Sequence, residues 1–304
     1  MVGIVVLNYN SIEKCRTCIA SIRKNTKVPY MIYLVDNAST DNSWKEITDT
    51  FAGNRDIVAI EAGNNAGYSA GNNIGLKAAV EQGCEYVMVA NPDVIFANDV
   101  ARELSSSMEN DKSIGLAAPF LTEADHKSIG QLFRGEYTFT RAIMNRKPFI
   151  YIARLVKSLD LNLDIDPYKP AYIDGMTSGC CYMFRSTTLQ DINYLDENVF
   201  LYHEEFIIGD KLQKVDAKVF YNPNAVAVHN HIDASNICTA NENLYRYLSA
   251  LYYLKNYQHC NKLQMLIAYL QNYLLLATRA LRRTDYREAL KSFRKYCRNN
   301  YKKH

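Results

Sequence analysis

Within the first 95 residues, short apolar runs alternate with segments of helical spacing, and three of the runs stop at Asn or Asp. Residues 2–7 end at Asn8-Tyr9-Asn10-Ser11, residues 31–35 at Asp36-Asn37, and residues 86–90 at Asn91-Pro92-Asp93. Residues 57–60 form a further run, followed by a stretch rich in Gly and Asn. Between the first two runs, Ile12, Cys15, Ile19 and Ile22 share one helical face. Short strands with intervening helices call for right-handed crossovers and a parallel, doubly wound sheet. The polar tips then align along the carboxyl edge, where open α/β sheets bind ligands. Val87, Met88, Val89 and Ala90 fit a strand covered on both faces, and Pro92, lacking an N–H, ends its ladder. A carboxylate beside an amide at such a tip is either an ordinary turn or a seat for a divalent metal and a phosphate.

Local signals refine this frame. Asn10 with Glu13 and Ser43 with Glu46 predict capping boxes, and Gly83 is the expected glycine just past the third helix. Glycines recur at 63, 67, 71 and 75. Neither the dinucleotide pattern G-x-G-x-x-G nor the P-loop pattern is present. The spacing suits a helix packed closely on the sheet, or a helix start facing an anion. Asn64, Asn65, Asn72 and Asn73 favour the second, because helix interiors disfavour Asn. Cys15, on the apolar helix face, reads as a small core thiol.

An apolar fraction of 48% and a charged fraction of 22% over 304 residues describe a globular chain with one large domain or two. Eight Cys are present, but Cys15-Arg16-Thr17-Cys18 has no second CxxC, so the four-ligand zinc spacing is missing. Residues 1–7 lack a basic n-region and a cleavage site, so reduced thiols in the cytosol are expected. The net charge is only +3, yet residues 279–304 hold ten Lys/Arg against two Asp/Glu. Positive charge gathered in a tail argues for an anionic membrane surface rather than nucleic acid. Residues 263–281 are apolar but include two Gln, an Asn and an Arg, too polar to span a bilayer. They predict a helix packed on the main domain or lying in the membrane interface.

Beyond residue 99 the alternation weakens. Residues 114–118 predict a strand that Pro119 ends, and 180–184 another. Residues 122–170 show no clean period and read as an insertion that shapes an acceptor site. A helix starts at Glu204 and Glu205, where the dipole favours carboxylates, with Phe206, Ile207 and Leu212 turned to the core. Residues 219–221 and 226–228 predict two short strands. The second leads into His229-Asn230-His231, a pair that either ligates metal or is merely exposed.

Four patches together resemble family 2 glycosyltransferases with a GT-A fold, in particular the bacterial rhamnosyltransferase-like branch, over about residues 2–237. They are Val35-Asp36-Asn37-Ala38-Ser39-Thr40-Asp41, the run from Asn65 to Gly75, Asn91-Pro92-Asp93, and Tyr202-His203-Glu204-Glu205. The resemblance implies an α/β GT-A domain, a Rossmann-like doubly wound mixed sheet, over residues 1–238. Residues 1–95 would be its nucleotide-binding half and 96–238 its acceptor and catalytic half. A C-terminal helical, basic segment covers 239–304 and would touch the membrane.

The implied activity is inverting transfer of a sugar, with L-rhamnose a candidate, from a dTDP or UDP sugar to a polysaccharide or lipid-linked acceptor. It would take place at the inner face of the cell membrane, in bacterial surface-glycan synthesis such as capsule. Asn8, Asn10, Asp36, Asn37, Asn65, Gly67, Asn72, Asn91 and Asp93 would line the donor site. Asp93 with His229 would hold a divalent cation, Mn2+ or Mg2+. Glu205 takes the place of the general base, but the usual Glu-Asp pair reads Glu204-Glu205 here, which leaves open which one acts. The expected Asp and Arg are displaced to Asp210 and Lys211. That departure keeps a non-catalytic nucleotide-sugar-binding scaffold as the rival. A sugar nucleotidyltransferase ranks lower, because Asn8-Tyr9-Asn10 lacks the Arg and Lys that a triphosphate needs.

Overall fold

A computed structural model describes residues 1–51, 53–123, 132–134, 137–146, 149, 166–230 and 239–301. It divides into two compact units. The larger takes in Met1–Gly135, Asn162–Asn198 and Glu204–Ile232, and the smaller Glu136–Leu161, Val199–His203 and Asp233–His304.

The larger unit is a sheet flanked by helices. Strands β1 (Val2–Asn8), β2 (Tyr30–Asp36), β3 (Ile57–Glu61) and β4 (Tyr86–Ala90) pair in parallel in the order β3-β2-β1-β4. Helices α1 (Ile12–Asn25), α2 (Ser43–Phe51) and α3 (Tyr68–Glu81) make the crossovers. The alternation over the first 95 residues therefore produces the expected doubly wound half. Strand β4 is buried along its whole length. Val87 and Val89 enter the core on one face, Met88 and Ala90 the core on the other. Period-two alternation with apolar residues at every position requires such a two-sided cover.

The sheet then turns mixed. After β5 (Val94–Phe96) and helix α4 (Val100–Asn110) come β6 (Ile114–Thr122), β7 (Leu132–Arg134), β8 (Ala171–Ile173), β9 (Gly175–Thr177), β10 (Cys181–Arg185) and β11 (Lys218–His229). Strand β10 inserts antiparallel between β4 and β6, β11 runs parallel to β6, and β5 closes antiparallel on β11. Strand β8 also pairs with β11, while β7 and β9 form a separate ribbon.

Several local expectations are corrected. Pro119 does not end β6 but sits inside it, opposite Asn222. Strand β10 pairs with β6 only as far as Ala117, so the proline lies past that ladder, where a missing N–H does least harm. The two strands expected at 219–221 and 226–228 are one, with a register shift between Asn222 and Val226. Neither predicted capping box near the N-terminus forms. Ser11 is the N-cap of α1, and its N–H is taken by the Asn8 side chain instead. Ser43 is already helical, and Asp41 Oδ1 accepts its N–H at 2.9 Å. Gly83 has the left-handed φ of 78° expected past α3.

The smaller unit contains a short helix α5 (Phe139–Met144) and three long ones named below. Within the larger unit, α6 (Ser186–Asp191) and α7 (Glu204–Lys214) remain. Helix α7 buries Ile207, Ile208 and Leu212, whereas Phe206 is half-exposed. The helices of the smaller unit are α8 (Ala240–Asn256), α9 (Lys262–Ala280) and α10 (Asp285–Tyr301). True capping boxes start α8, at Thr239 and Glu242, and α9, at Asn261 and Gln264. No helix among the described residues is long and apolar enough to cross a membrane. Helix α9 has two characters: Ala268, Asn272, Leu276 and Ala280 are buried, while Leu263, Leu266, Ile267, Leu270 and Leu274 face outward.

Candidate active site

Four polar clusters gather at the carboxyl ends of the strands in the larger unit. The first joins the tips of β1 and β2. Asn8 donates to Asp36 Oδ1 at 2.7 Å and to Ser39 Oγ at 3.1 Å, and Ser39 returns both its N–H and its hydroxyl to Asp36. Asn10, at a left-handed φ of 52°, exchanges hydrogen bonds with Thr40. Asn8 and Asp36 are fully buried, so Asn8 orients the carboxylate from behind while Asn10 remains exposed. Cys15, fully buried, also donates to Asn8, and burial lifts its thiol to about 12.

The second cluster explains part of the glycine run. Asn37 donates to Asn65 Oδ1 at 3.1 Å and to Gly67 O at 3.3 Å, and Asn65 in turn accepts the Gly67 N–H. Gly67, at φ 106°, is the N-cap of α3, a conformation that an L side chain resists. Gly71 is required for a different reason: a Cβ there would stand 2.7 Å from Leu7 Cδ1 and 3.0 Å from the Asn37 amide. Gly75 likewise packs against Val5. The two interior glycines thus bring α3 down onto β1, the close-packing role. Asn72 is fully buried and returns its amide to Tyr68 O, and Asn73 ties α3 to the backbone of Leu195. Those two asparagines are buried with the helix rather than displayed at its start.

The third cluster lies at the tip of β4. Asp93 Oδ1 is 3.3 Å from His229 Nε2, because β5 and the end of β11 pair with His229 opposite Val94. Both side chains are largely buried. His231 lies outside the described residues.

The fourth cluster surrounds the two carboxylates that begin α7. A Cβ on Gly179 would meet Glu205 Oε1 at 3.2 Å and Glu204 Oε1 at 3.5 Å, so both acids press against one bare spot of backbone. Glu204 is 7% exposed, and its Oε2 is buried with no hydrogen-bond partner among the described residues. Burial first, then the neighbouring Glu205 charge, holds the Glu204 carboxyl well above the ordinary range. Tyr68 spans the third and fourth clusters. Its hydroxyl lies 3.0 Å from Asn91 Oδ1 and is also bonded to Gly179 O. Burial and the nearby Tyr182 and Glu204 push this phenol up, so it stays protonated.

Comparison with known proteins decides the family. The model of "Glycosyl transferase family 2" matches residues 3–159. The chain belongs to glycosyl transferase family 2. The low-salt glycan biosynthesis hexosyltransferase Agl10 of Haloferax volcanii is 24% identical to this transferase over 75% of the chain. This transferase spans 66% of that protein's length. An N-acetylglucosaminyl-diphospho-decaprenol L-rhamnosyltransferase of Mycobacterium tuberculosis is 22% identical, over 74% of the chain and 75% of its own. Among solved structures, the mannosyltransferase PcManGT from Pyrobaculum calidifontis, in complex with GDP-Man and Mn2+, superposes with a TM-score of 0.57 at 14% identity. The superposition covers 100% of this chain and 88% of that one, and it establishes a shared GT-A fold with C-terminal helices.

Two residues of the candidate site escaped the sequence reading. Tyr68 stands inside the recognised Gly–Asn run, and only an aromatic in that polar stretch hinted at it. Gly179 carries no signal, because what it does is leave room.

Proposed function

We propose that this transferase moves a sugar, with inversion, from a nucleoside-diphosphate sugar to a glycan acceptor carried on lipid at the inner face of the cell membrane. L-rhamnose is the candidate sugar, from the resemblance to the rhamnosyltransferase branch at low identity. The observation that carries the reading is the Tyr68 hydroxyl, which joins Asn91 of the donor-side tip to Gly179, the backbone against which Glu205 rests. A leaving-group site and a carboxylate base are thereby held on either side of one phenol.

In this reading Glu205 takes the proton of the acceptor hydroxyl as that oxygen attacks the anomeric carbon. The bond to the diphosphate breaks on the opposite face, and its electron pair leaves with the nucleotide. A single displacement inverts the carbon. Glu204, buried and with its carboxyl held well above the ordinary range, would remove a competing negative charge from the base's side.

Asp93 and His229 would hold the divalent cation. One carboxylate and one imidazole fit Mn2+ or Mg2+ that takes its remaining positions from donor phosphates and water. A bound cation there would offset charge on the departing diphosphate. Asp36, oriented by Asn8 and Ser39, and Asn37 with Asn65 would frame the nucleoside.

Donor turnover by Glu205→Gln, beside a titration of nucleoside diphosphates, tests the proposal. Retained binding with turnover lost supports it. Binding with no turnover of any donor by the unaltered chain would instead favour a nucleotide-sugar scaffold.

A further inference from the structure

The smaller unit contains an open cavity of ≈ 710 Å³ between α8, α9 and α10, within that unit alone. Its floor is apolar and aromatic: Leu251, Met265, Tyr269 and Tyr273 line it, and Tyr269 stacks on Tyr273 and on Phe293. Its charged lining is of one sign, consisting of Lys255, Lys262, Arg294 and Arg298 with no carboxylate. The Lys255 ammonium reaches Asn300 O, and the Arg294 guanidinium lies 4.9 Å over the Tyr273 ring. Among the described residues, Lys262, Arg294 and Arg298 form no ion pair with an acid.

Leu266 lines this cavity and is also 51% exposed. It belongs to the outward stripe of α9, whose members Leu263, Leu266, Ile267, Leu270 and Leu274 recur at helical spacing on one face. Leu263 is 65% exposed and Leu274 59%. Leucines about half or more exposed along three turns are costly, and a cavity with cations and an apolar floor opens beside them.

We propose that this cavity and stripe are a seat for anionic phospholipid at a bilayer surface. The head-group phosphate would lie among Lys262, Arg294 and Arg298. An acyl chain would lie against Tyr269 and Met265, with the α9 leucines in the boundary between head groups and chains. The inference rests on the membrane location proposed above and deepens it by naming the ligand and the residues. A water-soluble anion would match the cations but leave the aromatic floor and the leucines unused. An uncharged apolar partner would offer no anion to Lys262, Arg294 and Arg298.

The full chain, mixed with phosphatidylglycerol vesicles and separately with phosphatidylcholine vesicles, should sediment only with the former. Arg294→Glu with Arg298→Glu should weaken that binding by more than about tenfold, as reversal of two interfacial charges predicts. Leu263→Ser with Leu274→Ser should weaken it as well. In both variants nucleoside-diphosphate binding should be unchanged, which shows that the larger unit is folded. Equal binding to both vesicle types overturns the proposal, as does displacement by inorganic phosphate at matched ionic strength. Binding that survives both pairs of substitutions overturns the seat while leaving the membrane location in place. Absence of any vesicle binding overturns seat and location together, and leaves sugar transfer to be judged on a water-soluble acceptor.

Discussion

Asp93 and His229 meet at 3.3 Å although 136 residues separate them in the chain, because β5 and β11 pair antiparallel at the edge of the sheet. The pairing fixes one carboxylate oxygen against one imidazole nitrogen in a largely buried place. Asp93→Asn should therefore lower kcat/KM for donor by at least about 100-fold, and His229→Ala by about tenfold to 100-fold, the scale seen when groups supporting a metal are removed. Initial rates across a manganese titration check this. Chelator should suppress the unaltered enzyme, and saturating metal should partly rescue His229→Ala but not Asp93→Asn.

The two glutamates should separate cleanly. Glu205→Gln should cost about 10²- to 10⁴-fold in kcat, the range of a positioned base. Glu204→Gln should cost far less, since the amide resembles the uncharged carboxyl it replaces. Steady-state rates on the two variants settle the assignment; comparable losses would sink it.

The same pair carries a pH signature in stability. Burial and Glu205 hold the Glu204 carboxyl well above its ordinary 4.5, so the folded chain keeps a proton that the unfolded chain releases. That contribution is full below the unfolded value and disappears as pH rises through the folded one. Glu204→Gln cannot ionise and lacks the loss. The difference in Tm, variant minus unaltered chain, should grow as pH rises above the ordinary glutamate range, as thermal unfolding at several pH values would show.

Tyr68→Phe leaves Asn91 Oδ1 and Gly179 O without the hydroxyl they share. A stability loss of about 1–3 kcal/mol is expected for buried acceptors left unpaired. Activity should fall through kcat more than through donor KM, because the phenol sets the spacing between tip and base. Chemical denaturation together with steady-state kinetics measures both.

Gly71→Ala places a methyl 2.7 Å from Leu7 and 3.0 Å from Asn37. Overpacking of this kind costs about 1–3 kcal/mol, and displacement of Asn37 should raise donor KM. An alanine at Gly63, where a Cβ meets nothing within 4 Å, serves as the control.

What could be read in advance follows from how local each signal is. Strands β1 to β4 were legible because each is a continuous apolar run whose neighbours in the sheet are near in sequence. Asp36 and Asp93 were placed at strand tips for the same reason. The predicted capping boxes at Asn10 and Ser43 fail because tip residues compete for the same N–H groups: Ser39 Oγ accepts the Asn10 N–H and Asp41 Oδ1 the Ser43 N–H. The boxes at Thr239 and Asn261, both in the smaller unit, form fully. Pro119 misled because its tolerance depends on where β10 stops pairing, a tertiary fact. Asn72 and Asn73 stood out because helix interiors disfavour Asn, and Asn72 also through the family resemblance; their burial and their amide bonds to Tyr68 O and Leu195 O are visible only in the structure. Glu204 and Glu205 were found as a pair, but only burial distinguishes them.

The insertion of β10 between β4 and β6 also sets a schedule for synthesis. Strand β4 is complete at Ala90, yet its neighbour Cys181 lies about ninety residues later, so this ladder is of high contact order. At ribosomal rates of ~5–20 residues per second, the apolar edge of Tyr86–Ala90 waits roughly 5–20 s for its partner. Throughout that interval the nascent N-terminal part of the sheet displays an unpaired, continuous hydrophobic strand, the form of edge most prone to join another chain. Residues 1–95 should therefore not survive as an excised module, and production of the whole protein should depend on chaperone supply more than its final stability would suggest.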